Sequence, residues 1–117
     1  MTRPARLDEG IAHFNAREFF EAHEVWEELW REEHEPERQF TQGLIQLAVA
    51  CYHLDRDNFV GAVKLYTRAI GRIKQFDSRH LGLDVDSLIA ASEKLLLAAQ
   101  KNTSVVHFPR ITSTPLA

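Results

Sequence analysis

The stretch FTQGLIQLAVACYHL, residues 40–54, decides the fold. Phe40, Leu44, Ile45, Leu47, Ala48, Val49, Cys51, Tyr52 and Leu54 wrap nearly the whole circumference of a helix. A helix that is apolar all round sits at the centre of a protein, covered on every side. Its polar groups keep to one narrow stripe. With Gln42 set at 0° and about 100° per residue, His53 falls near 20°, Gln46 near 40° and Gln39 near 60°. Gly43 costs a helix interior about 1 kcal/mol relative to alanine, which implies that a neighbour needs its space. The stretch therefore predicts a central helix with flanking helices and one polar seam.

Working outward, the prolines at 4, 36, 109 and 115 leave residues 5–35 and 37–108 uninterrupted. β-Branched residues are sparse before residue 103, and the apolar spacing is helical throughout. The class is all-α. Five helices are predicted, over about 5–14, 17–33, 36–55, 58–76 and 84–101. Pro36 suits a first turn, Asp57 or Asn58 a cap, and Asp84 or Asp86 the start of the fifth helix. Gly82 marks the break before that helix. Residues 1–101 read as a single helical domain and 102–117 as a non-helical tail, whose Val105, Val106, Phe108 and Ile111 are free to dock. A weak repeat runs at an offset of 40: Leu7, Ile11, Phe14, Phe19, Ala22, Trp26, Leu29 and Trp30 align with Leu47, Cys51, Leu54, Phe59, Ala62, Tyr66, Ala69 and Ile70. Each copy resembles a tetratricopeptide hairpin, though that period is about 34 residues and an open solenoid needs about three units. Two packed hairpins closed off by the fifth helix form a compact array instead.

Composition narrows the class of function. At 117 residues with 44% apolar content, one packed domain is expected. A net charge of −3 argues against general nucleic-acid binding. The lone Cys51 excludes an internal disulfide or a cysteine zinc site and fits a reducing cytoplasm. No apolar run approaches the ~18 residues of a membrane span. Residues 1–16 lack the apolar centre of a signal peptide. Eleven acids and five bases in residues 1–40, against six acids and nine bases in 41–117, give an acidic N-terminal third and a basic remainder. Such faces could pair in a homo-oligomer. Lys64, Arg68 and Arg72 recur on what reads as the outer face of the fourth helix, with no aromatic interleaved as RNA binding would need. His13, His34, His80 and His107 share no spacing and read as surface residues.

The helix over 17–33 adds a second polar signal. Its apolar arc runs from Val25 through Leu29, Ala22, Trp26 and Phe19 to Trp30, and resumes at Phe20. His23 and Glu27 fall between Trp30 and Phe20, inside the arc. Glu21 and Glu28 belong to the solvated face, with Glu24 at its edge. Buried polar groups need partners. The expectation is a semi-buried cluster of His23, Glu27, Gln42, Gln46 and His53, walled by Trp30 and Phe20. Glu27 would be the charged acceptor, the histidines donors or ligands, and the glutamines would orient them.

The segments FNAREFFEAHEVWEELWR (14–31) and QGLIQLAVACYH (42–53) resemble the paired signature of a bacterial and archaeal family, domain of unknown function 309. The resemblance spans residues 7–76 and places His23, Glu27, Trp30, Gln42, Gly43, Gln46 and His53 in register. It implies a small multihelical array and no established activity, cofactor or substrate. The fifth helix and tail lie outside it.

Three functions fit this cluster. The first is a module that binds a protein or a small molecule, with aromatic anchors among Trp26, Trp30, Tyr52 and Tyr66. The second is a metal site or hydrolase-like metalloenzyme using His23, Glu27 and His53, with Glu24 in reserve. The spacing His-x-x-x-Glu is neither the zincin motif nor that of a di-iron bundle. Metal-free acid–base chemistry by His23 and Glu27 belongs to the same class, but no nucleophile accompanies it, since Cys51 lies opposite the stripe. The third is a buried network that only sets helix register.

Overall fold

Apolar residues on every face place α3 (Glu37–Asp55) at the centre, between α2 (Phe19–Glu32) and α4 (Phe59–Ile73). This computed structural model describes residues 3–113; sequence expectations for 1–2 and 114–117, the outer ends of the domain and of the tail, lie outside the described residues. α1 (Ala5–Asn15) covers α2, and α5 (Val85–Gln100) covers α4. The fold is all-α, as the periodicity implied. Leu44, Leu47, Ala48, Ala50, Cys51 and Leu54 of α3 are wholly shielded. α4 comes close at Gly43: a Cβ there would stand 2.7 Å from Ile73 Cγ1. No helix among the described residues is long and apolar enough to cross a membrane.

The repeat at an offset of 40 is realised in backbone detail. α1 and α3 end in the same motif, with Arg17 (φ 63°) and Asp57 (φ 56°) in the left-handed region. Glu18 N–H donates to the His13 carbonyl at 2.9 Å, and Asn58 N–H to the His53 carbonyl at 2.8 Å. These bonds satisfy carbonyls that a helix end otherwise leaves bare. The side chains repeat as well: His13 Nδ1 meets Glu18 Oε1 at 2.8 Å, and His53 Nδ1 meets Asn58 Nδ2 at 3.0 Å. Ala22 and Ala62 are fully buried in both copies, as are Trp26 and Tyr66. The aromatic anchors Trp26 and Tyr66 are thus core, out of reach of any partner. α2 and α4 begin later than the pattern suggested because the left-handed residues reverse the chain at 17 and 57.

Gly82 does more than break the chain before α5. Residues 79–84 form a small hairpin, β1 (Arg79–His80) against β2 (Leu83–Asp84), closed by Leu81 (φ 50°) and Gly82 (φ 74°). Two positive φ angles in a two-residue loop match the twist of paired strands. Two-residue strands are too short to show alternation, so periodicity could not reveal them. The hairpin carries His80 back onto the start of α3. There its Nε2 lies 2.8 Å from Glu37 Oε1, and its ring packs on Phe40 and Phe76 at 4.6 and 4.7 Å. His80 is therefore half-buried and paired, correcting its reading as a surface residue.

The non-helical tail docks on its own chain. Asn15 brackets Ile111, accepting from its N–H at 2.7 Å and donating to its carbonyl at 3.0 Å. Ile111 is buried, and Phe108 packs on Phe19 with centroids 5.1 Å apart. Leu83 bridges Ser113, which extends the hairpin by one more segment. Val106 remains exposed.

Candidate functional site between α2, α3 and α4

The six residues singled out by sequence do not form one cluster. His23 Nε2 lies 3.0 Å from Glu27 Oε1, one turn along the same helix. His23 Nδ1 is buried and has no hydrogen-bond partner among the described residues. The other Glu27 oxygen faces Arg31 at 3.8 Å. The Glu27 side chain is 40% exposed, so it is half-buried and more open than its place inside the apolar arc suggested. The reason lies at the rim of the α2–α3 seam: Phe20, the far edge of the apolar arc, is itself 49% exposed. A wheel shows an arc but not where the covering helix stops.

His53 does not reach Glu27 by any hydrogen bond or ion pair among the described residues. Its partner is Asn58, whose Oδ1 caps α4 by accepting the Gly61 N–H at 3.2 Å. His53 is the repeat counterpart of His13, and it supports a hairpin turn. Among the described residues, no group of three or more His, Cys, Asp or Glu side chains is placed to hold a metal ion. His23, Glu27 and His53 are accordingly not assembled as a ligand set, which corrects the metal reading.

The α3 stripe meets α4 instead. Arg72 donates from Nε to Gln46 Oε1 at 3.1 Å and from Nη1 to Gln39 Oε1. Gln46 is only 9% exposed, so this bond satisfies a buried acceptor. Sequence placed Arg72 on the outer face of α4 with Lys64 and Arg68. A signal was present: each i,i+4 step advances about 40°, so with Tyr66 at 0° Lys64 falls near 160° and Arg72 near 240°. That drift brings Arg72 to the edge of the apolar face, and it is half-buried while Lys64 and Arg68 are exposed. Arg72→Met should cost about 2 kcal/mol, the range for stranding a buried acceptor. Arg68→Met should stay within about 0.5 kcal/mol. Urea midpoints at constant slope decide the comparison; equal shifts would remove the structural role of Arg72.

Among the recesses along the seam, two are lined by candidate residues. One, of about 160 Å³, is almost wholly apolar and is lined by Phe19, Phe20, His23, Val49, Tyr52 and His53. The other, of about 250 Å³, is polar and is lined by Trp30, Glu35, Arg38, Gln39, Gln42 and Arg72. Arg38 lies over the Trp30 ring, 3.9 Å from its centroid. His23 and His53 thus share one recess, and Trp30 and Gln42 the other. Gln46 lies behind the second, bonded to Arg72, and Glu27 stays with His23. Arg38, Gln39 and Arg72 are the participants that sequence reasoning left out of the candidate site.

Cys51 is wholly buried, with Sγ 3.0 Å from the Tyr66 hydroxyl. Burial pushes its thiol up to about 12, although the Tyr66 hydrogen bond opposes the shift. At pH 8 a thiol of pKa about 12 is ionised to about one part in ten thousand, against about a quarter for an ordinary one. Ellman's reagent should therefore label Cys51 only as urea unfolds the chain. Rapid labelling of the native protein would contradict this burial.

A family model described as "Domain of unknown function (DUF309)" matches residues 7–65, half of the chain. The chain belongs to this family. It is also 40% identical over 89 residues to the uncharacterized protein YpuF of Bacillus subtilis (strain 168), an overlap covering 73% of this chain and 51% of YpuF. The chain thus spans about half the length of that curated relative. The DUF309 match ends within α4. It includes His23, Glu27, Trp30, Gln42, Gln46 and His53 and stops before Arg72.

Proposed function

We propose that this DUF309 chain is a small-ligand-binding module whose site lies along the α2–α3 seam, completed by Arg72 of α4. The observation that carries the reading is the polar recess of about 250 Å³ bordered by Trp30, Gln42 and Arg72. A network that only set helix register would close its polar groups against each other. Here the Arg72 guanidinium is held by Gln39 and Gln46 yet still lines open space. Binding sites combine such concavity with a few oriented polar groups.

The test is a titration of ¹⁵N-labelled protein with a panel of neutral and charged fragments. Shifts should cluster on the Trp30 indole N–H, the Gln42 and Gln46 amides, and the backbone of Tyr52 and His53. A panel that perturbs none of these at millimolar concentration would refute the reading. So would Gln42→Ala and Trp30→Ala variants that alter stability and leave every fragment's affinity unchanged.

A further inference from the structure

We propose that the recess of Trp30, Glu35, Arg38, Gln39, Gln42 and Arg72 is an oxyanion site, taking the carboxylate or phosphate end of a small molecule. This rests on the binding reading above and supplies the ligand's chemistry.

Two guanidinium groups converge there, from the first turn of α3 and the last turn of α4. Among the described residues, Arg3, Arg6, Arg17 and Arg31 each form an ion pair with a carboxylate; of the arginines without one, Arg38 and Arg72 are half-buried, whereas Arg56, Arg68, Arg79 and Arg110 are exposed. Arg72 is held by neutral amide oxygens, so its position is fixed while its charge is not offset. Of its five N–H donors, those bonds occupy two. Arg38 is fixed differently, by stacking on Trp30, and its Nε is buried without a hydrogen-bond partner. That Nε is shut off from a ligand, but no hydrogen bond or ion pair among the described residues occupies the two Nη groups, which leaves them for an incoming oxyanion.

The one carboxylate on the lining is Glu35, which is exposed and pairs with neither arginine. The lining therefore carries two positive charges and one negative. Four of the six lining residues, Trp30, Glu35, Arg38 and Gln39, belong to the acidic N-terminal third, where residues 1–40 hold eleven acids and five bases. A volume of about 250 Å³ suits a small metabolite. A planar guanidinium fork matches carboxylate and phosphate alike, so the chemistry they share is what the site reads.

Benzoate, its neutral isostere benzamide, and inorganic phosphate are the probes, followed through the Trp30 indole N–H and the Gln42 amide. Benzoate should bind about tenfold or more tightly than benzamide, the scale on which charge-assisted bonds exceed neutral ones. Phosphate competing at the same resonances assigns the site to oxyanions in general; binding of benzoate alone assigns it to carboxylates, and of phosphate alone to phosphates. Arg38→Gln, which removes no hydrogen bond among the described residues, should weaken the oxyanion about tenfold. Arg72→Gln should do the same, with a melting curve to confirm folding. Glu35→Gln should tighten it. Equal affinity for benzoate and benzamide would overturn the oxyanion assignment while leaving the binding reading intact. So would fragments that bind the apolar recess when benzoate and phosphate do not bind the polar one. Absence of any binding along the seam would instead sink the binding reading, and this inference with it.

Discussion

Trp26→Ala should lower the free energy of unfolding by about 4 kcal/mol, the middle of the range for a large aromatic removed from a core. Trp26 is fully shielded and joins α2 to α1. Its ring lies 6.0 Å from that of Phe14, and its indole N–H donates to the Leu7 carbonyl at 3.2 Å. Removing it opens a cavity and takes from the Leu7 carbonyl the second of its two donors. Domains of this size are stable by only about 5–15 kcal/mol, so the variant should approach marginal stability. Trp30→Ala is the contrast, because Trp30 is half-buried on the rim of the polar recess. It should shift the urea midpoint far less than Trp26→Ala. Comparable midpoints for the two variants would show that the difference in burial does not govern stability here.

Gly10→Ala should be the second most damaging change, at about 3 kcal/mol. Helix propensity alone argues the opposite, since alanine stabilises a helix interior by about 1 kcal/mol over glycine. The space is already taken. A Cβ on Gly10 would stand 2.0 Å from Trp26 Nε1 and 2.4 Å from Cδ1 and Cε2 of the same ring. A rigid, enclosed indole cannot yield as a flexible side chain would. The sign should reverse once the ring is gone: Gly10→Ala made in the Trp26→Ala background should be neutral or stabilising. A double-mutant cycle measures that coupling. Additive losses would mean that α1 is not held against α2 through this contact.

The hairpins were legible in the sequence because their physics is local. The spacing of Leu7, Ile11 and Phe14 forms an apolar stripe whatever lies beyond it. The offset of 40 that aligns Trp26 with Tyr66 reappears as matched left-handed residues at Arg17 and Asp57. The β-hairpin at 79–84 left no such trace, since its short strands are held by turn geometry and by docking of His80 and the tail. The candidate site was legible in part. The wheels found the right helices and the polar residues along their seam, but joined Glu27 to His53, which the structure keeps with separate partners.

The sequence by itself determined that α3 is central, that its polar stripe is narrow, and that His23 and Glu27 share a face, because helical spacing sets these within one segment. Only the tertiary structure decided which group meets the stripe. Arg72 reaches Gln39 and Gln46 because Gly43 lets α4 approach α3 closely, so that a side chain at the edge of one face arrives opposite the polar seam of another. A helical wheel carries the angle of a residue about its own axis. The distance and tilt of the neighbouring helix, which select its partner, arise only when the helices pack.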